Sequence, residues 1–225
     1  MNDSPLVKIC GITTPDDMAA AARAGADLLG FVFYERSPRN VTPEAVAEMM
    51  ILLKGMDITQ IPLCVGVFVD PDLGYVADTL RRAQLQAAQV HRASPEKLRV
   101  LHTATNGSLI PALQPRTAQE VSAFLAALNG DDPLLFPFWL PALLIDAYHP
   151  DLAGGTGQRA DLDMARAVIE AHERVMLAGG LTPENVAETV RAVRPYAVDV
   201  SSGVESAPGQ KDHAKIAAFI RNAKG

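Results

Sequence analysis

The chain contains few cysteines, few aromatic residues and no long apolar run. Its 225 residues include two cysteines and one tryptophan, and aromatic side chains make up 5% of the total. Two cysteines outside any CxxC pattern argue against a disulfide framework and against a zinc site. No apolar stretch reaches the roughly 20 residues that a membrane-spanning helix requires. The composition therefore predicts neither a structural metal nor a membrane as partner.

Positive charge is also scarce. The chain has 20 Lys and Arg against 26 Asp and Glu, a net charge of −6, and no run of basic residues. Nucleic acids and anionic membranes attract basic surfaces, so neither is an expected partner. The first four residues lack the basic region and apolar core of a signal peptide. We therefore expect a cytoplasmic globular protein, for which 48% hydrophobic residues provide a sufficient core.

A short helix-start signal recurs along the chain. A residue that can cap a helix is followed by Pro and then by an acid, because a side-chain oxygen accepts from a free helix N–H and Pro fits the first turn. The Pro-containing copies begin at Thr14, Thr42, Asp70, Ser94 and Thr182, and Thr117 begins a capping box. From Thr14 to Thr117 the starts follow one another every 23 to 28 residues. This period fits one strand and one helix.

Short apolar runs precede most of these helix starts and are typical of buried parallel strands. The predicted strands are residues 6–12, 27–34, 61–69, 87–91, 109–114, 142–147, 174–178 and 196–201. Eight strands alternating with about eight helices predict an α/β fold, a single (β/α)8 TIM barrel over residues 1–225. The structural alternative is a doubly wound open sheet, which usually has five or six strands.

Residues 129–141 interrupt this rhythm with an irregular apolar loop before the sixth strand. The loop carries the only tryptophan, with two phenylalanines between prolines. Long loops commonly pack back on the body of the protein, so we expect this one to close the bottom of the barrel. The alternative is an apolar contact with a partner subunit.

Three glycine-rich loops follow the last three predicted strands. The residues concerned are Gly155, Thr156 and Gly157 after the sixth strand, Gly179 and Gly180 after the seventh, and Ser201, Ser202 and Gly203 after the eighth. Glycine lets backbone N–H groups approach an anion closely, and successive N–H groups form an anion-binding nest. In barrels the loops after strands seven and eight, with a short extra helix, commonly bind phosphate. We therefore predict a phosphorylated small-molecule partner and a helix at residues 204–207.

Cys10 stands where the first predicted strand passes into a loop at Gly11. Side chains alternate along a strand, so Lys8 lies on the same face as Cys10. A nearby ammonium favours the thiolate form of a cysteine, which is the reactive form. A lone cysteine is more often a small apolar side chain that fills a gap, and this alternative remains open.

Four further polar side chains accompany predicted strand ends. Asp146 ends the sixth strand and Asp199 lies in the eighth, where a buried carboxylate is either paired or functional. Arg39 follows the second strand and supplies a cation, although alone it is typical of a solvated surface. His91 ends the fourth strand and is interpreted as a structural residue or a minor binding group rather than a metal ligand, because no second ligand has matching spacing.

A set of short motifs in the first and last parts of the chain has the order and the spacing of one known family. They are residues 7–13, 25–27, 30–34, 37–39, 65–69, 145–147, 154–157, 177–181, 183–186, 198–205, 208–209 and 211–212. Together these motifs resemble the phosphoribosylanthranilate isomerase family of tryptophan biosynthesis, over residues 6–91 and 142–225. The resemblance is specific because the motifs have the order and the spacing of that family.

The resemblance implies an intramolecular oxidoreductase, an aldose–ketose isomerase. The reaction is the Amadori rearrangement of N-(5-phosphoribosyl)anthranilate to 1-(2-carboxyphenylamino)-1-deoxy-D-ribulose 5-phosphate. By family match Cys10 is the general base, Asp146 the general acid, and Arg39 binds the anthranilate. We expect Lys8 to lower the pKa of Cys10 and Asp199 to position its neighbours. No cofactor or metal is implied, because the proton leaves and returns within one substrate.

The resemblance weakens between residues 92 and 141. The family continues its fourth strand with Gly and acidic residues, whereas here His91 is followed by Arg92-Ala93-Ser94, and the fifth strand lacks the Lys of the family. A non-catalytic phosphosugar-binding barrel therefore remains an alternative. So does a related sugar-phosphate barrel enzyme, such as a ribulose-phosphate epimerase or an indole-glycerol-phosphate synthase. The sequence is compatible with a monomer and with a homodimer.

Overall fold

The computed structural model describes residues 4–130, 134, 136–146 and 157–225, with the backbone alone for residues 157–161. The first eight strands are β1 (Leu6–Cys10), β2 (Leu28–Val32), β3 (Leu63–Val69), β4 (Ala87–His91), β5 (Leu109–Leu113), β6 (Leu143–Asp146), β7 (Val175–Ala178) and β8 (Ala197–Val200). The helices are α1 (Pro15–Arg23), α2 (Pro43–Lys54), α3 (Leu73–Arg82), α4 (Pro95–Ala104), α5 (Ala118–Asn129), α6 (Gly157–Ala171), α7 (Val186–Val193) and α8 (His213–Lys224). No helix in the described ranges is long and apolar enough to cross a membrane.

The eight strands close into one parallel barrel. Each strand pairs with the next along the chain, and β8 pairs in parallel with β1, where Lys8 lies beside Asp199. Each observed strand lies within the range predicted for it from the sequence. The predicted (β/α)8 barrel is therefore confirmed, and the pairing of β1 with β8 excludes the open sheet.

Four helices begin at the capping residues that the sequence predicts. The hydroxyls of Thr14, Thr42, Ser94 and Thr117 each accept a hydrogen bond from the backbone N–H three residues later, at 3.1 to 3.3 Å. Such a cap satisfies one of the N–H groups that the first turn leaves without a helical partner. These starts depend on local chemistry, and for that reason they are visible in the sequence.

Two of the predicted helix starts are displaced. The helix predicted from Asp70 begins only after Asp72, because Asp70 has a positive φ of 44° and its carboxylate pairs with Lys97 at 2.7 Å. The helix predicted from Thr182 begins after Asn185. There the Asn185 side chain accepts from the backbone N–H of Thr182 at 2.8 Å, so an additional turn forms first.

The barrel interior changes from apolar to polar toward the carboxyl ends of the strands. Its apolar part is formed mainly by Leu28, Val65, Ala87, Ile110, Leu144, Met176 and Ala197. Two residues further along their strands, Gln89 follows Ala87 and Asp199 follows Ala197, and Lys8 lies beside Asp199. Because strand side chains alternate, these polar groups also point into the barrel. The polar end of the interior is therefore the carboxyl end of the strands, where each strand is followed by the loop that leads to the next helix.

The loop before β6 meets the opposite end of the barrel. Leu140 is fully buried and packs with the apolar residues of the barrel interior, which closes that end. Trp139 lines a surface cavity beside Leu6 and Leu63, and Phe138 is 84% exposed. Residues 131–133 and 135 of this loop lie outside the described residues. A partner contact through Phe138 remains a hypothesis.

The chain after β8 forms a hairpin. A short 3-10 turn (Ser202–Val204) leads into β9 (Glu205–Ala207), which pairs in antiparallel fashion with β10 (Gln210–Lys211). The helix predicted at residues 204–207 is therefore wrong. The hairpin forms because the Glu205 side chain is held by Lys211 across it, and Gly209 makes the turn with a positive φ of 80°.

Candidate active site

Cys10 is the last residue of β1 and lies buried at the polar end of the barrel, 6% exposed. Its neighbour across the strand pair is Gly30. A Cβ on Gly30 would lie 2.8 Å from Cys10 Sγ and 3.1 Å from Lys8 Nζ. The absence of a side chain at Gly30 therefore leaves space for both the thiol and the ammonium group. A larger residue at this position would displace them.

Lys8 forms a buried ion pair beneath this thiol. Its Nζ donates to Asp199 Oδ1 at 2.7 Å, and Lys8 is fully buried. Burial acts to lower the pKa of Lys8, but the charges of Asp199 and Cys10 raise it above its usual value. The ammonium therefore remains charged close to Cys10, held in position by a partner 191 residues away along the chain.

The ionisation of Cys10 differs from the expectation drawn from the sequence. Burial raises the pKa of the Cys10 thiol, and the positive charge of Lys8 opposes this effect without cancelling it. The expected lowering by Lys8 is thus present, but the predicted net lowering is wrong. The physical reason is desolvation, because a buried thiolate loses the water that would stabilise its charge.

Arg39 lies beside Cys10 at the barrel rim. Its Nε donates to Glu205 Oε1 at 2.7 Å and its Nη2 to Glu205 Oε2 at 2.6 Å. Gly11 makes this position possible, since a Cβ on Gly11 would lie 2.5 Å from Arg39 Cδ and 3.0 Å from Ser201 Oγ. Gly11 also has a positive φ of 76°, which other residues adopt with strain. The sequence predicts Arg39 as an available cation at the barrel rim. In the structure, Glu205 occupies one edge of the Arg39 guanidinium.

His91 ends β4 and contacts Gln89, which points into the barrel two residues earlier. The two side chains approach at 2.8 Å, between Gln89 Nε2 and His91 Nε2. Burial lowers the pKa of His91 to about 4, so its ring is neutral near pH 7 and its Nε2 accepts from the Gln89 amide. No group of three or more His, Cys, Asp or Glu that could hold a metal ion occurs in the described part of the chain.

Asp146 is the last residue of β6 and lies partly buried beside Ala178 of β7. Cys10 ends β1 in the same closed barrel. Because all strands of the barrel are parallel, the two side chains belong to the same end of it. A thiol and a carboxyl group thus stand at the same end of the barrel on two separate strands.

The loops after β7 and β8 pack against each other. Gly179 and Gly180 both have positive φ, at 100° and 64°. A Cβ on Gly203 would lie only 1.9 Å from the carbonyl oxygen of Leu181, so that position tolerates only glycine. Asn185 orients the first loop by donating to the Gly180 carbonyl at 2.9 Å. The structure thus brings Gly179 and Gly180 together with Ser201, Ser202 and Gly203. Gly155 and Thr156 lie outside the described residues, and Gly157 begins α6.

Three buried polar residues of this region were not assigned a role from the sequence. They are Gln89, Glu205 and Lys211, each less than one-tenth exposed. Glu205 and Lys211 stand within the family-like motifs, which was the only signal for them. Gln89 alternates with Ala87 and His91 along β4, so its inward orientation follows from strand periodicity.

Comparison with known proteins places this chain in a family. The family model for N-(5'-phosphoribosyl)anthranilate (PRA) isomerase matches residues 7–222. An N-(5'-phosphoribosyl)anthranilate isomerase from Trichlorobacter lovleyi is 44% identical over 220 residues, covering 97% of each chain. One from Geobacter sulfurreducens is 43% identical over 220 residues, covering 97% of this chain and 98% of the relative.

Solved structures agree with the sequence relatives. The phosphoribosyl anthranilate isomerase from Thermotoga maritima has a TM-score of 0.81 and 34% identity, covering 98% of this chain and 99% of that chain. A phosphoribosyl anthranilate isomerase in complex with reduced 1-(o-carboxyphenylamino)-1-deoxyribulose 5-phosphate has a TM-score of 0.76 and 32% identity, with the same coverage. This chain therefore belongs to the N-(5'-phosphoribosyl)anthranilate isomerase family.

Proposed function

We propose that this chain isomerises N-(5'-phosphoribosyl)anthranilate to 1-(2-carboxyphenylamino)-1-deoxy-D-ribulose 5-phosphate, an Amadori rearrangement in tryptophan biosynthesis. The observation that carries the proposal is the convergence of Cys10, the Lys8–Asp199 pair and Arg39 at one end of a closed barrel. Asp146 borders the same end from β6. Membership of the isomerase family supports the assignment of substrate and product.

Asp146 and Cys10 divide the two proton transfers of this reaction. Asp146, as general acid, protonates the ring oxygen of the ribose, so that the ring opens and the nitrogen forms an iminium at C1. Cys10, as general base, then removes the proton on C2, and the electron pair moves to neutralise the iminium. The resulting enolamine tautomerises to the ketose when protonated Cys10 returns its proton to C1 and the enol hydroxyl on C2 gives its proton to the Asp146 carboxylate, which restores both side chains. Every proton and electron is accounted for within the substrate and these two side chains.

The raised pKa of Cys10 has two consequences for its role as base. Only a minor fraction of the thiol is deprotonated near pH 7, but that fraction is a stronger base than an ordinary thiolate. The Lys8 ammonium limits the cost of ionisation, since its charge lowers the pKa that burial raises. Asp199 keeps Lys8 in place through its 2.7 Å hydrogen bond.

The substrate has two anionic groups, and the barrel rim offers a separate partner to each. Arg39 suits the anthranilate carboxylate, because a guanidinium binds a carboxylate through paired hydrogen bonds. The glycine loops after β7 and β8 suit the 5'-phosphate, because they present backbone N–H groups without a Cβ in the way. His91, neutral and partly buried beside Gln89, completes the proposed binding surface on β4. Gly155, Thr156 and Gly157 belong to the same proposed phosphate site.

The decay of substrate fluorescence on addition of purified protein tests the proposed reaction. We expect the fluorescence to decay with the wild-type chain. The ketose that forms has the same mass as the substrate and is identified by trapping with borohydride. Binding without decay would instead support the alternative of a non-catalytic phosphosugar-binding barrel. No decay of this substrate, together with conversion of another sugar phosphate, would instead support the alternative of a related sugar-phosphate barrel enzyme.

Replacing Asp146 by Asn should reduce kcat by at least ~100-fold, the lower range for a general acid, with a small effect on KM. The amide keeps the shape of the side chain but has no acidic proton to give to the ring oxygen. Asp78→Asn, the same change on the outer face of α3, is the matched control and should leave kcat unchanged. Turnover close to the wild-type rate in Asp146→Asn would contradict the assignment of Asp146 as acid.

Removal of the phosphate from the ligand should weaken binding by more than about 100-fold, because charge-assisted hydrogen bonds contribute about 1.5–3 kcal/mol each and at least two are lost. Isothermal calorimetry with the reduced ketose phosphate and its dephosphorylated form measures this difference. Equal affinity for the two ligands would refute the phosphate site. Ser202→Ala provides a milder loss at the same loop.

The cellular setting follows from the proposed substrate. A small phosphorylated metabolite supports a cytoplasmic location, and neither nucleic acid nor membrane has a role in the reaction. A homodimer and a monomer both fit the chain, and one solved structure shows monomers generated from the dimeric phosphoribosylanthranilate isomerase of Thermotoga maritima. Sedimentation equilibrium of the purified chain distinguishes the two assemblies.

A further inference from the structure

Arg39 presents two hydrogen-bonding edges, and Glu205 occupies only one of them. The side-on edge, formed by Nε and Nη2, makes the two bonds to the Glu205 carboxylate at 2.7 and 2.6 Å. The end-on edge is formed by Nη1 and the second hydrogen of Nη2. Within the described ranges, Nη1 has no hydrogen-bond partner, and the Arg39 side chain is 21% exposed. One complete fork therefore remains for a second carboxylate.

Glu205 is shared between two cations. Lys211 Nζ donates to Glu205 Oε1 at 2.9 Å and to the Ser201 carbonyl at 3.0 Å, and the Lys211 side chain has no exposed surface. Burial acts to raise the pKa of Glu205, but the hydrogen bonds from Arg39 and Lys211 keep it below its usual value. Two cations and one carboxylate leave a net positive charge. Without Lys211, the Arg39–Glu205 pair would carry no net charge.

We propose that Glu205, neutralised by Lys211, is a positioning residue that fixes Arg39 with its end-on fork free for the substrate carboxylate. This proposal rests on the proposed function, in which Arg39 binds the anthranilate group. The cluster of Arg39, Glu205 and Lys211 thereby determines selectivity for an arylamine that bears a carboxylate. It acts on binding, since none of the proton transfers assigned to Cys10 and Asp146 involves it.

The same cluster connects the two proposed binding regions. Lys211 holds the carbonyl of Ser201, in the loop after β8 proposed to bind phosphate, and Glu205 holds Arg39, the proposed carboxylate ligand. Gly11 leaves room for the Arg39 side chain and the Ser201 hydroxyl at the same place. The distance between the carboxylate fork and the phosphate loop is therefore set by side chains that are themselves buried and paired. Such a framework orients a ligand without the entropy cost of ordering a free arginine.

Glu205→Gln tests the proposal with two probe ligands. The first is reduced 1-(o-carboxyphenylamino)-1-deoxyribulose 5-phosphate, and the second is the anilino compound that lacks the carboxylate. We expect the variant to weaken the first ligand by at least about 10-fold and the second by less than about 3-fold, because only the first uses the Arg39 fork. In kinetics KM should rise by about 10-fold while kcat changes by less than about 3-fold.

A double variant connects this effect to Arg39. Arg39→Met alone should abolish the preference for the carboxylate ligand, and Arg39→Met/Glu205→Gln should be no weaker than Arg39→Met alone. Additive losses in the double variant would show that Glu205 acts independently of Arg39 and would overturn the proposal. So would an equal loss for both ligands, because that pattern indicates a merely structural carboxylate.

Two further variants keep the test decisive. Lys211→Met retains the Arg39–Glu205 fork but removes the surplus positive charge, so it should weaken the carboxylate ligand more than the ligand without the carboxylate; any loss through the Ser201 carbonyl is common to both ligands. It replaces Glu205→Gln if that variant does not fold. Asp17→Asn is the matched control, since Asp17 is equally buried and bonds His213 at 2.8 Å between α1 and α8. It should change neither ligand. If the wild-type chain does not convert the substrate, the proposed function fails, whereas conversion without ligand discrimination refutes this inference alone.

Discussion

Cys10→Ser should lower kcat by at least ~100-fold at saturating substrate, the lower range for a general base. The hydroxyl of serine is a far weaker acid than a thiol, so the Lys8 ammonium near position 10 cannot generate its anion. The change removes little volume, and Gly30 leaves the neighbouring space unchanged. Binding of the reduced ketose phosphate should therefore stay within a few-fold of wild type. The decay of substrate fluorescence measures kcat, and calorimetry measures binding.

Cys64→Ser is the control for this prediction. Cys64 is as buried as Cys10, but it belongs to the core outside the barrel and its thiol donates to the Pro62 carbonyl at 3.6 Å. Burial raises the pKa of Cys64 to about 12, so this thiol stays protonated. A serine can keep the hydrogen bond, and we expect a small loss of stability with unchanged kcat. Wild-type turnover in purified Cys10→Ser would refute Cys10 as the base.

Lys8→Met should reduce both stability and activity. Removing one partner of a buried ion pair destabilises a protein by about 3–5 kcal/mol, since Asp199 is left charged without its ammonium. The pKa of Lys8 is raised above 10.5, so its contribution to stability is complete at neutral pH and is lost only when pH rises through the folded-state value. Urea unfolding at pH 7 therefore measures the full effect.

The same variant should change the pH dependence of catalysis. The charge of Lys8 lowers the pKa of Cys10, so its removal raises that pKa further. A base must be deprotonated to act, so kcat/KM increases as pH rises through the pKa of Cys10. This increase should occur at a higher pH in Lys8→Met than in the wild-type chain. At pH 7 the variant then has less thiolate and a lower rate.

Lys8→Met/Asp199→Asn separates the two effects. Replacing both partners of a buried pair is often close to neutral for stability, so we expect the double variant to recover much of the unfolding free energy. Its kcat/KM profile should stay displaced to high pH, because Cys10 still lacks the ammonium. A double variant as unstable as the single variant would contradict the importance of the ion pair. A pH profile identical to wild type would contradict the electrostatic role of Lys8.

Local signals in the sequence were sufficient for the barrel. Each strand was visible as a short apolar run, and the Thr14, Thr42, Ser94 and Thr117 starts were visible as caps, because both depend on residues a few positions apart. The predictions failed where distant partners intervened. Asp70 pairs with Lys97 instead of capping α3, and residues 204–207 form a hairpin because Glu205 is held by Arg39 and Lys211.

The sequence by itself determined the architecture and the positions of Cys10 and Asp146 at strand ends, because strand periodicity and helix caps are encoded locally. Only the tertiary structure decided the electrostatics. Lys8 meets Asp199 across 191 residues, and Arg39 meets Glu205 across 166. Closure of the barrel buries Cys10, which raises its pKa, and places Asp199 against Lys8, whose ammonium opposes that rise. Desolvation and charge interactions act through space, so the state of the thiol depends on the fold as well as on Lys8, its neighbour on the same strand.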